Sequence, residues 1–385
     1  MYLYFGQNVI IPRMENNQRK ILYVIPGINV CGGMESYAMN YLRHIDRTQY
    51  TIDFVTHDVG EENYISEIES LGGKVFVLPK FGLKNLKEIK RQISELLANN
   101  KYEIIHCHMA NAGYFYFKEA MKQGIKVRIL HSHQSKAADK FSHALRNYPL
   151  LWLAKMYSTH FVACSRLAGD FLFGRESYTL LNNAIEPEKF APNEEQRYEV
   201  RSKLGVDDTT LLVGHVGRLC PQKNQEFLLE AFSYVAEFGP DSKLILIGDG
   251  EGKEHLVEKA EALQIMDKVI FQGVERNVAP FYQAMDVFCM PSLYEGLSVV
   301  AVEAQAAGLP CLFADTLSQE TNLGGNVEFL GLDKEPSEWA KRILTLKNAD
   351  RIENPSKLIE EAGYNINRDA ENLVKYYDKL LEIVG

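Results

Sequence analysis

At 385 residues, with 46% hydrophobic and 24% charged residues, the chain has room for two packed cores and the composition of an ordinary globular protein. Its six cysteines (Cys31, Cys107, Cys164, Cys220, Cys289 and Cys311) include no CxxC pair, which argues against a zinc site or disulfide framework and for reduced cytosolic thiols. Residues 1–180 carry 22 Lys and Arg against 16 Asp and Glu, a net of +6, and residues 181–385 carry 20 against 35, a net of −15; the basic first half suits an anionic partner, and the acidic total argues against nucleic acid.

Residues 1–13 have no basic segment ahead of an apolar core, so they do not read as a signal peptide. No run of about 18 apolar residues occurs, so no membrane span is expected. From residue 20 the chain alternates strand and helix. Strands are predicted at 20–26 (KILYVIP), 51–56, 74–78, 104–106, 127–131 and 161–164, with helices at 35–45, 85–98 and 112–123. A boundary rich in Asn, Pro and Glu lies at 182–193. A second series follows, with strands at 211–217, 243–248, 269–271, 287–291 and 310–313 and helices at 225–236, 254–263, 278–284 and 299–307. The last helix is predicted at 369–384. Such alternation predicts an α/β chain of two Rossmann-like, doubly wound domains facing each other across a cleft. The division is 14–187 and 188–365, with residues 366–385 returning to the first domain.

Five segments carry chemistry. In PSLYEGLSVVAVEAQAAGLP, residues 291–310, Ser298 is a fair N-cap, Gly308 the residue past the helix and Pro310 its stop. The Gly296-Leu297-Ser298 turn brings backbone N–H groups and the positive end of a helix to the cleft, which suits phosphate. Glu295 precedes that helix and Glu303 lies eight residues on, placed for a sugar and for ribose hydroxyls. In GHVGRLCPQKN, Arg218 and Lys223 stand just before a helix whose N-cap is expected to be Asn224. Two cations there oppose the helix dipole and make sense around an anion. In GINVCGGME, Gly32 and Gly33 allow close backbone approach to a ligand. The pairs His106/His108 and His131/His133 each share one face of a strand; with no carboxylate beside them, a histidine at the cleft is favoured over a metal site. Finally, Gly248 and Gly250 match only half of a dinucleotide fingerprint, without the acidic residue expected about 20 positions on, so a nicotinamide enzyme is disfavoured. No P-loop or GxSxG motif is present.

In this order and spacing, the Glu-x7-Glu pair, the Gly-Arg-Leu…Lys segment, the GGxE loop, His-Ser-His-Gln and Asn183-Ala184-Ile185 with Phe190 resemble the retaining glycosyltransferases of family 4. These are the "group 1" enzymes with the GT-B fold, here of the bacterial capsular or exopolysaccharide type. The similarity covers roughly residues 20–332. It implies that Arg218 and Lys223 neutralise the donor diphosphate, that Glu295 holds the sugar and Glu303 the ribose, and that Gly296, Leu297 and Ser298 supply backbone donors. It further implies that Gly32 and Gly33 approach the diphosphate, that residues 271–274, with Gln272 and Val274, frame the base, and that His133 lies near the reacting carbon. His133 is preferred over His131 because its place before Gln134 aligns with the family's His-Asn or His-Asp. Ala184 and Gln134 depart from the family's usual Gly and Asn or Asp, which touches hinge detail and acceptor orientation.

The resemblance implies front-face retention with no cofactor and no metal, because protein cations do the charge work. The donor is a nucleotide-sugar, with UDP favoured. The acceptor is a glycan or polyprenyl-linked saccharide at the inner face of the cell membrane. Two basic stretches of the first half suit peripheral contact there: Lys80, Lys84, Lys87, Lys90 and Arg91 interleaved with Phe81, Leu83, Leu86 and Ile89, and residues 136–155 with Phe141, Arg146, Tyr148 and Trp152. Two other readings stand beside this one. A nucleotide-sugar 2-epimerase would act without an acceptor, and a non-catalytic sugar-nucleotide-binding subunit would show no turnover.

Overall fold

The computed structural model describes residues 18–30, 32–82, 84–134, 141–239 and 241–384, with the backbone alone at 141–146. Residues 1–13, Cys31, Leu83, Lys136, Gly385 and the side chains of Phe141 and Arg146 lie outside the described residues.

Two parallel sheets form. The first contains β1 (Arg19–Val24), β2 (Tyr50–Thr56), β3 (Val75–Val77), β4 (Ile104–Cys107), β5 (Val127–Ser132), β6 (His160–Ala163) and β7 (Thr179–Leu180), in the order β3-β2-β1-β4-β5-β6-β7. The second contains β8 (Leu211–Val216), β9 (Ser242–Ile247), β10 (Val269–Gly273), β11 (Val287–Met290), β12 (Cys311–Ala314) and β13 (Val327–Leu330), in the order β10-β9-β8-β11-β12-β13. Helices cover both faces, so strands such as LLVGHV of β8 are buried at every position rather than alternating. Each sheet reverses its winding beside its first strand, between β1 and β4 and between β8 and β11. In doubly wound sheets ligands bind at that crevice, beyond the strand ends.

The predicted strands are present within one or two residues, and the fold is the expected pair of Rossmann-like units. Two strands went unpredicted. β7 is two residues long, and β13 (VEFL) is a half-buried edge strand with little apolar signal. The helix Phe141–Tyr157 was also unpredicted, because Pro149 interrupts its pattern.

The last helix, Ile366–Val384, begins three residues earlier than predicted. Ile366, Ala370, Leu373, Tyr377 and Leu380 bury its inner face in the core of the first sheet. Tyr377 meets Tyr23 of β1 through a 2.9 Å hydroxyl contact. Asp378 accepts hydrogen bonds from Arg19 and Tyr50, each at 2.5 Å.

Candidate active site

The loops leaving β1, β5, β8 and β11 meet in a cavity of about 570 Å³. Ten of the twelve residues expected to bind the donor or act in transfer line it: Gly32, Gly33, His133, Arg218, Lys223, Glu295, Gly296, Leu297, Ser298 and Glu303. Gln272 and Val274 do not. β10 shifts register between Phe271 and Gly273. Gln272 donates instead to Glu275 Oε1 at 2.7 Å, and Val274 packs on the core of the first sheet. Glu275 and Arg276 reach the cavity in their place.

Two loops of the second sheet are strapped together. Leu293 N–H donates to the Gln222 carbonyl at 2.9 Å, Gln222 Nε2 donates to the Tyr294 carbonyl at 3.0 Å, and Asn224 Nδ2 donates to the Pro291 carbonyl at 3.1 Å. The strap sets Lys223 Nζ at 2.6 Å from Glu295 Oε1, with both side chains largely buried. Lys223, expected beside Arg218 as one of two cations around an anion, is ion-paired to Glu295. Asn224 flanks the helix Gln225–Phe238 but does not cap it. It takes a left-handed conformation (φ 56°), and its side chain is spent on the strap. Ser298 likewise makes no side-chain cap, whereas Gly308 has the positive φ (70°) of a residue past a helix end.

Glycines allow backbones to touch here. A Cβ on Gly296 would overlap the His133 carbonyl and crowd the Cys164 Sγ, so only glycine lets the Glu295–Ser298 turn rest on the first sheet's loop. Asn183 Nδ2 adds a hydrogen bond to the Leu297 carbonyl. Gly248 and Gly250, the half fingerprint, admit the backbone of Gly217–Leu219, which seats the loop that carries Arg218. A Cβ on Gly32 would overlap the end of the Glu35 side chain, whereas the Cβ direction of Gly33 is open.

Among the groups lining the cavity, Glu303, Glu35 and His133 are shifted most strongly. Burial pushes Glu303 up to about 7; Tyr282 donates to its Oε2 at 2.9 Å, and Lys189 partly offsets the rise. Burial also pushes Glu35 up to about 7, against the pull of Arg218. Burial drives His133 down to about 3, so its ring is neutral. Glu35 was given no role from sequence, although it closes the GGxE motif; Lys189 and Tyr282 carried no sequence signal at all.

Beneath His133 the two His-x-His pairs merge into one cluster. His108 Nδ1 lies 2.9 Å from His133 Nε2, and His106 Nε2 lies 3.0 Å from His131 Nδ1. His106, His108 and His131 bring ligand atoms within 4.8 Å of one another, the set among the described residues suited to a metal. Both nitrogens of His106 are engaged, however, with His131 and with Tyr377.

Comparison with known proteins places this geometry. Residues 196–364 match the model of glycosyl transferases group 1, and residues 31–188 match that of glycosyltransferase family 4. The Bacillus subtilis (strain 168) protein named glycosyltransferase EpsF is 34% identical over 376 residues, covering 95% of this chain and 98% of that one. The Escherichia coli UDP-Gal:alpha-D-GlcNAc-diphosphoundecaprenol alpha-1,3-galactosyltransferase is 26% identical over 310 residues, covering 76% and 77%. The structure of Anabaena HepE in complex with UDP-glucose superposes with a TM-score of 0.77 at 20% identity, covering 94% and 99%. With its paired Rossmann-like sheets and a cleft built at both crevices, the chain belongs to the group 1 glycosyltransferases of the GT-B fold.

Proposed function

We propose that this enzyme moves a sugar from a UDP-sugar to a hydroxyl of a glycan or polyprenyl-linked saccharide, with retention and without a divalent metal, at the cytoplasmic membrane face in surface polysaccharide assembly. The observation that carries this reading is the strapped pair of loops that sets Arg218, Lys223 and Glu295 in one cleft wall.

Arg218 and Lys223 neutralise the charge that grows on the diphosphate as its bond to the sugar's anomeric carbon breaks. The acceptor oxygen bonds to that carbon on the same face, and its proton passes to the departing phosphate oxygen. Glu295, ion-paired to Lys223 at 2.6 Å, serves as a sugar-binding group and as an anchor for the lysine rather than as a nucleophile. Glu303 keeps one oxygen on Tyr282 and offers the other to the ribose. A UDP donor is supported by the UDP-glucose complex of HepE and by the UDP-Gal named for the Escherichia coli relative. That relative's diphosphoundecaprenol acceptor supports a lipid-linked one here.

No described helix is long and apolar enough to cross a membrane. In the first of the two basic stretches, two cations are ion-paired at the surface, Arg91 with Glu88 and Glu95 and Lys80 with Asp58, and Ile89 is core. The second is the better membrane surface. Tyr148, Trp152 and Met156 stand 56%, 61% and 55% exposed, spaced four apart on one face of the helix Phe141–Tyr157.

The test is product analysis with a panel of UDP-sugars and a synthetic polyprenyl diphosphate glycan. An α-linked product from an α-linked donor is expected. A β-linked product, or an epimerised sugar nucleotide formed without acceptor, overturns the reading.

A further inference from the structure

His108 lies wholly beneath the cleft, buried, with Nδ1 at 2.9 Å from His133 Nε2. Its other ring nitrogen, Nε2, is buried without a hydrogen-bond partner. The neighbouring His131 has the same pattern: Nδ1 is 3.0 Å from His106 Nε2, and its own Nε2 is buried and unpartnered.

A neutral imidazole owns one N–H and one lone pair. A proton on Nε2 of either ring would strand a buried donor, whereas a proton on Nδ1 strands only a lone pair. Orphaned buried N–H groups are the rarer and costlier case.

Two directed chains follow. In one, His131 donates from Nδ1 to His106 Nε2. His106 then donates from its own Nδ1 to the Tyr377 hydroxyl at 2.6 Å, and Tyr377 in turn meets Tyr23 at 2.9 Å. In the other, His108 donates from Nδ1 to His133 Nε2. The His133 ring stacks on His131 at 4.0 Å, which fixes its plane. Its remaining nitrogen, Nδ1, then carries the proton, on a residue that lines the cavity.

We propose that His108 is a positioning residue that locks His133 in the Nδ1–H form, so that His133 presents a hydrogen-bond donor, and not a base, to the sugar or departing oxygen in the cleft. The chemical part of this inference rests on the reading of the cavity as the transfer site; the part concerning the His133 tautomer does not. Burial supports it by holding both rings neutral, with His108 well below the usual histidine range.

Long-range 1H–15N spectra of histidine-labelled protein read the tautomer directly. The expected result is a His133 ring protonated on Nδ1 in the native protein. His108→Leu should lose that preference, and His108→Asn, whose amide N–H can take the place of Nδ1–H, should restore it. A native His133 protonated on Nε2, or a tautomer unchanged in His108→Leu, overturns the proposal. In turnover, His108→Leu is expected to lower kcat by up to about 100-fold at unchanged donor KM, with His108→Asn recovering most of the loss. Equal kcat in His108→Leu and native enzyme overturns the positioning role. If His133→Ala alone turns over at the native rate, it is the transfer-site reading that fails, while the tautomer result stands on its spectra.

Discussion

Lys223 and Glu295, 72 positions apart in the chain, meet at 2.6 Å at the bottom of the cleft. Neither side chain chooses that distance. It is set by the hydrogen bonds that strap the loop after β8 to the loop after β11. The pair makes each partner's desolvation tolerable and leaves a lysine pointed where phosphate charge would develop.

Removing that lysine deletes a cation and strands a buried carboxylate. Lys223→Ala is expected to lower kcat/KM by about 10²–10³-fold. Because the two groups act together, Lys223→Ala/Glu295→Ala should be far less damaging than the two single losses multiplied. Steady-state rates for the four proteins check this; multiplicative losses would mean that the pair is not a unit.

The glycines of the cleft separate structural from ligand-binding roles. Gly296→Ala drives a Cβ into the His133 carbonyl and is expected to cost about 1–3 kcal/mol of stability, whereas at Gly32 the Cβ meets the end of the Glu35 side chain, which can shift, so Gly32→Ala should cost less. Gly33→Ala meets nothing within 4 Å and opens the helix Gly33–His44, so its stability should be unchanged or higher. Its UDP affinity should fall, because the methyl takes the space reserved for ligand. Denaturant melts and nucleotide titrations of the three variants distinguish these effects.

Glu303 and Glu35 make stability depend on pH. Burial raises each from 4.5 to about 7, so the folded chain binds more protons than the unfolded chain between those values. Their contribution is fully present below pH 4.5 and is lost as pH rises through about 7. For Glu303 the loss is at most about 3 kcal/mol. The native protein should therefore melt at lower temperature as pH is raised from about 4.5 to about 7, and Glu303→Gln should flatten that slope. Identical slopes would contradict the burial account.

The exposed row on the helix Phe141–Tyr157 gives a membrane test. Trp152→Glu is expected to abolish co-sedimentation with anionic vesicles at low salt while leaving UDP binding intact. Native protein that never sediments would remove the membrane from the proposal.

Most of the fold was legible because a buried parallel strand is a short apolar run ending in Gly or Pro, and those runs fell in the right order. β13 was not, because an edge strand needs only half its surface apolar. Much of the site was legible as well, since its residues cluster just after strand ends, where phosphate chemistry calls for Gly, Arg, Lys and Glu. Tertiary geometry supplied what the sequence did not: Gln272 and Val274 lie off the cavity lining beside the irregular end of β10, and the Glu35 carboxyl lies in the Cβ direction of Gly32. The histidine pairs were visible as pairs, but only the β4–β5 register, which sets His106 opposite Ile129, makes them one cluster.

The central claim is a nucleoside diphosphate site built on Arg218 and Glu303, and a thermal-shift panel with UDP, GDP, ADP, CMP and NAD tests it most directly. A ligand at ~100 times its dissociation constant stabilises by ~2.7 kcal/mol. The account predicts a shift with UDP that is lost in Arg218→Ala and in Glu303→Ala; no shift with any nucleoside diphosphate, or a shift with NAD alone, would contradict it.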